Sequence, residues 1–139
     1  MLRAFICVLA ISLLLLAPSF AFAGDEEDYQ KVIAGQLQAL QADDGTTAYS
    51  FAAPSIKMLF PSPEIFMSMV KNGYPQVYRP QSYKFAEITT DPFGRPAQHV
   101  TIIDGNGKLW TAVYTMERQA DGTWKIAGCS IIEAPGADA

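Results

Sequence analysis

Apolar residues first recur with a helical period. Tyr29, Val32, Ile33, Gln36, Leu37 and Leu40 share one face of a helix predicted over residues 25–42, while Asp28, Lys31, Gln38 and Gln41 fall away from it. The acidic run Asp25 to Asp28 then stands at the helix start, where the macrodipole favours negative charge. Asp43-Asp44-Gly45 ends the helix, Thr46 to Ala53 reads as a second short one closed by Pro54, and Ser55 to Phe60 as one more helical turn. Ser62-Pro63-Glu64 is a strong start signal: a capping hydroxyl, proline at the first helical position and an acid in the first turn. Ile65, Phe66, Met69 and Val70 form the expected buried stripe of that helix, which stops at Asn72-Gly73. The proline steps Tyr74-Pro75 and Arg79-Pro80 predict an extended crossing.

From Ser82 the period changes to two. Strands are expected over 82–90, 98–103, 109–117 and 123–132. Asp104-Gly105-Asn106-Gly107 and Ala120-Asp121-Gly122 read as hairpin turns, and Asp91 to Pro96 as a longer connection. Helices first and an antiparallel meander afterwards predict an α+β domain, with the N-terminal helices packed on one face of a curved antiparallel sheet. Ala134 to Ala139 reads as a frayed tail.

The 23 residues ahead of this domain are of another kind. Arg3 supplies a positive start, Ala4 to Ala17 is apolar except for Ser12, and Ala21-Phe22-Ala23 is a small-x-small cleavage signature. Residues 1–23 are therefore expected to be a signal peptide and residues 24–139 the single mature domain, periplasmic or secreted after cleavage near Ala23. A retained anchor is the alternative, but no second run of spanning length follows. Cleavage would remove Cys7 and leave Cys129 alone, so no internal disulfide can form and the core must hold by packing. Cys129 itself reads as a small buried hydrophobe.

The full chain of 139 residues carries 14 acidic and 10 basic residues, a net charge of −4. The basic residues are scattered singly, which argues against nucleic-acid binding and against attraction to an anionic membrane surface. Length and composition also exclude a disordered chain, a disulfide scaffold and a multidomain enzyme.

Several words resemble a family of short exported bacterial proteins within the nuclear transport factor 2-like, or cystatin-like, superfamily. They are Val32-Ile33 through Gln36-Leu37-Gln38-Ala39-Leu40 with Asp43-Asp44, Ala48-Tyr49-Ser50-Phe51-Ala52-Ala53-Pro54-Ser55-Ile56-Lys57, and Phe60. Phe66-Met67-Ser68-Met69-Val70, Tyr74-Pro75-Gln76-Val77-Tyr78 and Asp121-Gly122-Thr123-Trp124-Lys125-Ile126-Ala127-Gly128 complete the set. The resemblance implies a cone-shaped α+β domain closed by a final hairpin. Isomerases, dehydratases, transport factors and assembly modules share that frame, so it carries no chemistry by itself.

Candidate chemistry is sparse. Asp43 or Asp44 could act as a general base near the mouth of a cone, with Tyr49, Tyr74 or Tyr78 as proton donor. The plainer role for Asp44 is to cap the second helix at Thr46 or Thr47. Isomerases of the superfamily carry their base on the sheet, so the resemblance does not transfer to these two acids. His99, the only histidine, is placed mid-strand beside Thr101 and Ile103 and opposite Val100 and Ile102; it reads first as a structural or surface residue, with a catalytic role as the alternative. It has no clustered partners for a metal, and nothing calls for a cofactor. Gly105-Asn106-Gly107-Lys108 lacks the spacing of a phosphate loop.

The aromatic set is rich for a domain of this size. Tyr49, Phe60, Phe66, Tyr74, Tyr78 and Trp110 are the candidate lining of a cavity for a small apolar or amphipathic ligand, with deformable methionines Met58, Met67, Met69 and Met116 nearby. A plain core plus a homodimer face on the outer sheet would use the same residues. The function expected is a non-catalytic small-ligand-binding or protein-interaction module. The alternative is a small cofactor-free lyase or isomerase using a pocket acid and a tyrosine.

Overall fold

The computed structural model describes residues 20–134, with side chains from residue 24 onward. The apolar run Ala4 to Ala17, Cys7 and the tail 135–139 lie outside the described residues. Five helices precede four strands: α1 (Phe20–Gln41), α2 (Gly45–Ser50), α3 (Pro54–Leu59), α4 (Pro63–Gly73), α5 (Pro75–Tyr78), β1 (Ser82–Thr90), β2 (Pro96–Ile103), β3 (Leu109–Arg118) and β4 (Trp124–Glu133). The strands form an open antiparallel sheet in the order β1-β2-β3-β4. The architecture is thus mixed α+β, with helices laid on one face of a four-stranded meander.

The α1 face expected from periodicity is buried at Tyr29, Ile33, Gln36, Leu37 and Leu40. The helix starts at Phe20 rather than Asp25, so the acidic run lies within it and not at its first turn. At its other end Asp43 takes a positive φ of 54°, and Asp44 caps α2 by accepting the Thr47 N–H. Ser62 caps α4 in the same way, accepting from the Ile65 N–H at 3.2 Å, with Pro63 at the first helical position.

The buried stripe of α4 differs from the expectation. Phe66, Met67 and Val70 are buried, whereas Ile65 is 48% exposed. Met67 packs against Gly45, where an added Cβ would stand 2.7 Å from Met67 Cγ, so glycine lets the start of α2 come this close. The crossing at Pro75 also differs. Pro75 opens the single helical turn α5, with the Tyr74 carbonyl accepting from Val77 and Tyr78 N–H, because proline suits a helix start as well as an extended run.

The strands sit close to their expected places. Asp91 to Pro96, expected to be a longer connection, is instead as tight as its two successors. In each turn an N–H bonds a carbonyl four residues on and a positive-φ glycine donates back three residues: Asp91/Arg95 with Gly94, Asp104/Lys108 with Gly107, and Gln119/Thr123 with Gly122. Three-residue loops of this kind need a left-handed residue at their last position, and glycine takes it without strain. Ala134, placed in the expected tail, is buried, and its N–H reaches the Leu109 carbonyl at 3.5 Å.

Two bulges shape the sheet. Phe85 pairs with Val100 and Ile88 with Gln98, leaving one extra residue on β1. The buried Gln98 amide fills that gap, donating to Ala86 O at 3.0 Å and Glu87 O at 3.4 Å. The second bulge falls at Ala127, between the pairs Thr115/Gly128 and Met116/Ile126. Beside it the Ile126 N–H donates to Phe51 O and the Ile126 carbonyl accepts from Ala53 N–H. The segment after α2 therefore covers this stretch of the β4 edge, which would otherwise offer unpaired backbone groups.

Candidate functional site

Period-two alternation places Val100, Ile102, Ala112, Tyr114 and Met116 on the helix-facing side of the sheet, and all are buried. Between this face and the helices lies a cavity of about 310 Å³. Its floor is Tyr114 on β3 with Ile126, Gly128 and Cys129 on β4. Gln36 and Leu40 of α1 form one side, and Phe66, Met69 and Val70 of α4 the other. Tyr74 and Val77 close the far end, while Ile56, Leu59 and Phe60 form the rim near α3. No lining residue carries a formal charge at neutral pH.

The rim is open and apolar. Leu59 is 71% exposed and its neighbour Met58 83%. The floor is closed. Tyr114 is almost fully buried, and its hydroxyl has no hydrogen-bond partner among the described residues. Tyr114 and Cys129 face each other across the β3–β4 ladder. The thiol and the phenol meet at close range and shift each other both electrostatically and as weak hydrogen-bonding neighbours, although the geometry is not that of a well-formed hydrogen bond. Burial pushes the Tyr114 phenol well above its usual range, and it pushes the Cys129 thiol up to about 12. Both groups are neutral at physiological pH. Gln36, a further polar lining residue, donates from Nε2 to the Ala48 carbonyl at 3.2 Å.

Of the aromatic residues singled out in the sequence, Phe60, Phe66 and Tyr74 line the cavity. Tyr49 stands behind them: its hydroxyl donates to the Phe60 carbonyl at 2.7 Å and its ring packs on Phe66 with centroids 5.6 Å apart. Trp110 is turned to the first hairpin after β2, donating from Nε1 to Asp104 Oδ2 at 2.8 Å. Tyr78 is half-buried against the core outside the cavity and donates to Asp43.

The acids gather away from this cavity. Asp43 is exposed and accepts from Tyr78 and from Arg79 Nη2 at 2.6 Å, with Lys71 Nζ 3.6 Å away. The Tyr78 hydrogen bond, with the Arg79 and Lys71 charges, holds its carboxyl below the usual range. Hydrogen bonds from Thr47 do the same for Asp44. Asp43 instead borders a separate surface depression with Glu64, Ser68 and Lys71. His99 is on the outer face of the sheet, its Nε2 2.9 Å from Thr89 Oγ1 and its Nδ1 3.6 Å from Glu87 Oε1. None of Asp43, Asp44 or His99 shares the cavity with Tyr74 or Tyr114.

Tyr114, Cys129 and Gln36 are lining residues absent from the sequence-derived set. The signal was available for Tyr114, since alternation with Ala112 and Met116 turns it inward. For Cys129 it was not, because the bulge at Ala127 resets the alternation of β4.

No group of three or more potential metal ligands occurs among the described residues. No helix among them is long and apolar enough to cross a membrane. The fold resembles a solved structure of a protein from Catenulispora acidiphila, with a TM-score of 0.52 and 14% identity over 81% of this chain and 94% of that chain. At that identity the likeness is one of fold alone. None of the curated proteins matches the chain. Residues 23–139 match the family described as a domain of unknown function, DUF4864, and the chain belongs to that family.

Proposed function

We propose that this domain is a non-catalytic binding module that holds a small, predominantly apolar molecule between its helices and its sheet. The observation that carries this reading is the cavity itself: about 310 Å³, walled by aliphatic, aromatic and thioether groups and opening through an apolar rim. Its volume lies at the lower end of the usual range for ligand sites. A lyase or isomerase would need an acid converging with a tyrosine on a bound substrate. The carboxylates nearest in sequence, Asp43 and Asp44, are occupied with Arg79, Lys71 and a helix cap.

The helix-on-sheet arrangement is compatible with a nuclear transport factor 2-like cone, whose interior such a ligand would occupy. We further read residues 1–23 as an export leader, supported by the Ala21-Phe22-Ala23 site and by a family match that starts at residue 23. A second copy would be accommodated on the outer sheet face, where Thr101, Thr111 and Val113 are half-buried. Native mass measurement tests the dimer, and the N-terminal sequence of the exported protein tests the leader.

The binding reading is tested by thermal shift with toluene as probe. Ligand bound only by the folded state raises the melting temperature by mass action. Met69→Trp, which fills the cavity from α4, should abolish the shift while leaving the far-ultraviolet circular dichroism unchanged. A wild-type protein that shows no shift at saturating toluene would remove the reading.

A further inference from the structure

Resting on the cavity as a binding site, we infer that its ligand is uncharged and carries an N–H or O–H donor that bonds Gln36 Oε1, with the rest of the molecule apolar. The lining contains no Asp, Glu, Lys, Arg or His, so an ion entering it would lose its hydration and meet no counter-charge. At about 30 Å³ per water-sized group, the volume of about 310 Å³ admits roughly ten non-hydrogen atoms.

Hydrogen bonding within the wall leaves one fixed acceptor for the ligand. Gln36, Tyr74, Tyr114 and Cys129 are the lining residues with polar side-chain atoms besides the Met69 thioether. The Tyr114 hydroxyl is sealed and meets the Cys129 thiol, itself a weak hydrogen-bonding group. A tyrosine hydroxyl such as that of Tyr74, at the far end, donates or accepts equally and so selects neither. Gln36 is different. Its side chain is 6% exposed, and its amide is held in one orientation, because the Ala48 carbonyl can only accept and so fixes Nε2 towards it at 3.2 Å. Oε1 is then directed away from Ala48, has no partner among the described residues and, unlike the Tyr114 hydroxyl, retains accessible surface. Gln36 lines the cavity from α1, so this buried acceptor faces the ligand there. A molecule with a donor satisfies it. One of the same shape without a donor shuts it off from water and leaves it unpaired.

The test compares indole with benzofuran, which has the same shape but an ether oxygen in place of the N–H, by calorimetric titration of the protein at pH 7. Benzylammonium, a charged donor, and toluene, the apolar reference, complete the series. Indole should bind about three- to tenfold more tightly than benzofuran, the size expected for one hydrogen bond, and at least about tenfold more tightly than benzylammonium. A smaller preference in either comparison overturns the inference. Gln36→Met keeps the length of the side chain, and the Ala48 carbonyl retains the Phe51 N–H at 3.3 Å. This variant should bind indole no more tightly than benzofuran and leave toluene unchanged; a preference that survives overturns the seating at Gln36. The Gln36 side-chain amide resonances of wild type decide the same point if the variant folds poorly. They should shift far more with indole than with benzofuran, and equal shifts overturn the seating. Each of these failures leaves the binding reading standing if toluene still binds. Failure of toluene, indole and benzofuran alike removes both.

Discussion

Tyr114 and Cys129 are register partners across β3 and β4, and both belong to the floor of the apolar cavity. Two ionisable groups are thus buried side by side with no charged neighbour in the wall, and burial favours the protonated form of each. That relationship makes the domain's stability depend on alkaline pH in a definite direction.

Cys129 has an ordinary value of 9.0 and is pushed up to about 12 in the fold. Above pH 9 the unfolded chain releases this proton and the native state keeps it, so stability falls as pH rises. The contribution is complete below pH 9 and is lost on the way to 12, with Tyr114 acting in the same sense. Urea midpoints measured between pH 8 and 11 should decline for wild type and decline less steeply for Cys129→Ala. Equal slopes would contradict the burial of the thiol. Iodoacetamide at pH 8 should label the native thiol far more slowly than the unfolded one, since only thiolate reacts.

Tyr114→Phe removes a hydroxyl that makes no well-formed hydrogen bond and meets only the weakly bonding Cys129 thiol, so it strands no strong donor or acceptor. Such a change is neutral or stabilising, in contrast to the loss of about 1–3 kcal/mol when a buried partner is left unpaired. Tyr114→Ala, which empties the floor, should cost about 3–5 kcal/mol. Denaturant unfolding of the two variants separates the hydroxyl from the ring. A large loss in Tyr114→Phe would mean that the hydroxyl is bonded within the fold.

Asp43 links the α1–α2 turn to the end of α5 through Tyr78 and Arg79. Its folded value is lowered, chiefly by Tyr78 and then by Arg79 and Lys71, so its stabilising effect exists above its ordinary value of 3.8 and disappears as pH falls below it. Asn tolerates the positive φ found here, which makes Asp43→Asn a test of charge alone. The variant should melt below wild type at pH 7, and the gap should close towards pH 3 and narrow in high salt. A gap independent of pH would assign the effect to the backbone.

Gln98 holds the β1 bulge through Ala86 O and Glu87 O. Gln98→Leu keeps the volume and removes the donors, and should cost about 1–3 kcal/mol. Amide exchange should accelerate most around residues 85–88, on the edge strand. Uniform acceleration across all four strands would show that Gln98 serves the core in general and not the bulge.

Much of this was legible in residue order. The face of α1, the caps at Asp44 and Ser62, the four strands and the side of β2 on which His99 stands all follow from periodicity and turn chemistry, which act over a few residues. Tyr74, Phe60 and Phe66 could be named as cavity candidates because aromatic residues cluster around α3 and α4. What could not be read was rotation and reach. Met67 is buried in place of Ile65, packed against Gly45, which lies far from it in sequence. Tyr49 and Trp110 are drawn off by a carbonyl of Phe60 and a carboxylate of Asp104. Cys129 joins the floor because a bulge at Ala127 shifts the register. Local order determined which segments form helices and strands and which of their faces are apolar. The approach of segments far apart along the chain decided which side chains enclose the cavity, because close packing and hydrogen-bond pairing are settled only when all the elements meet.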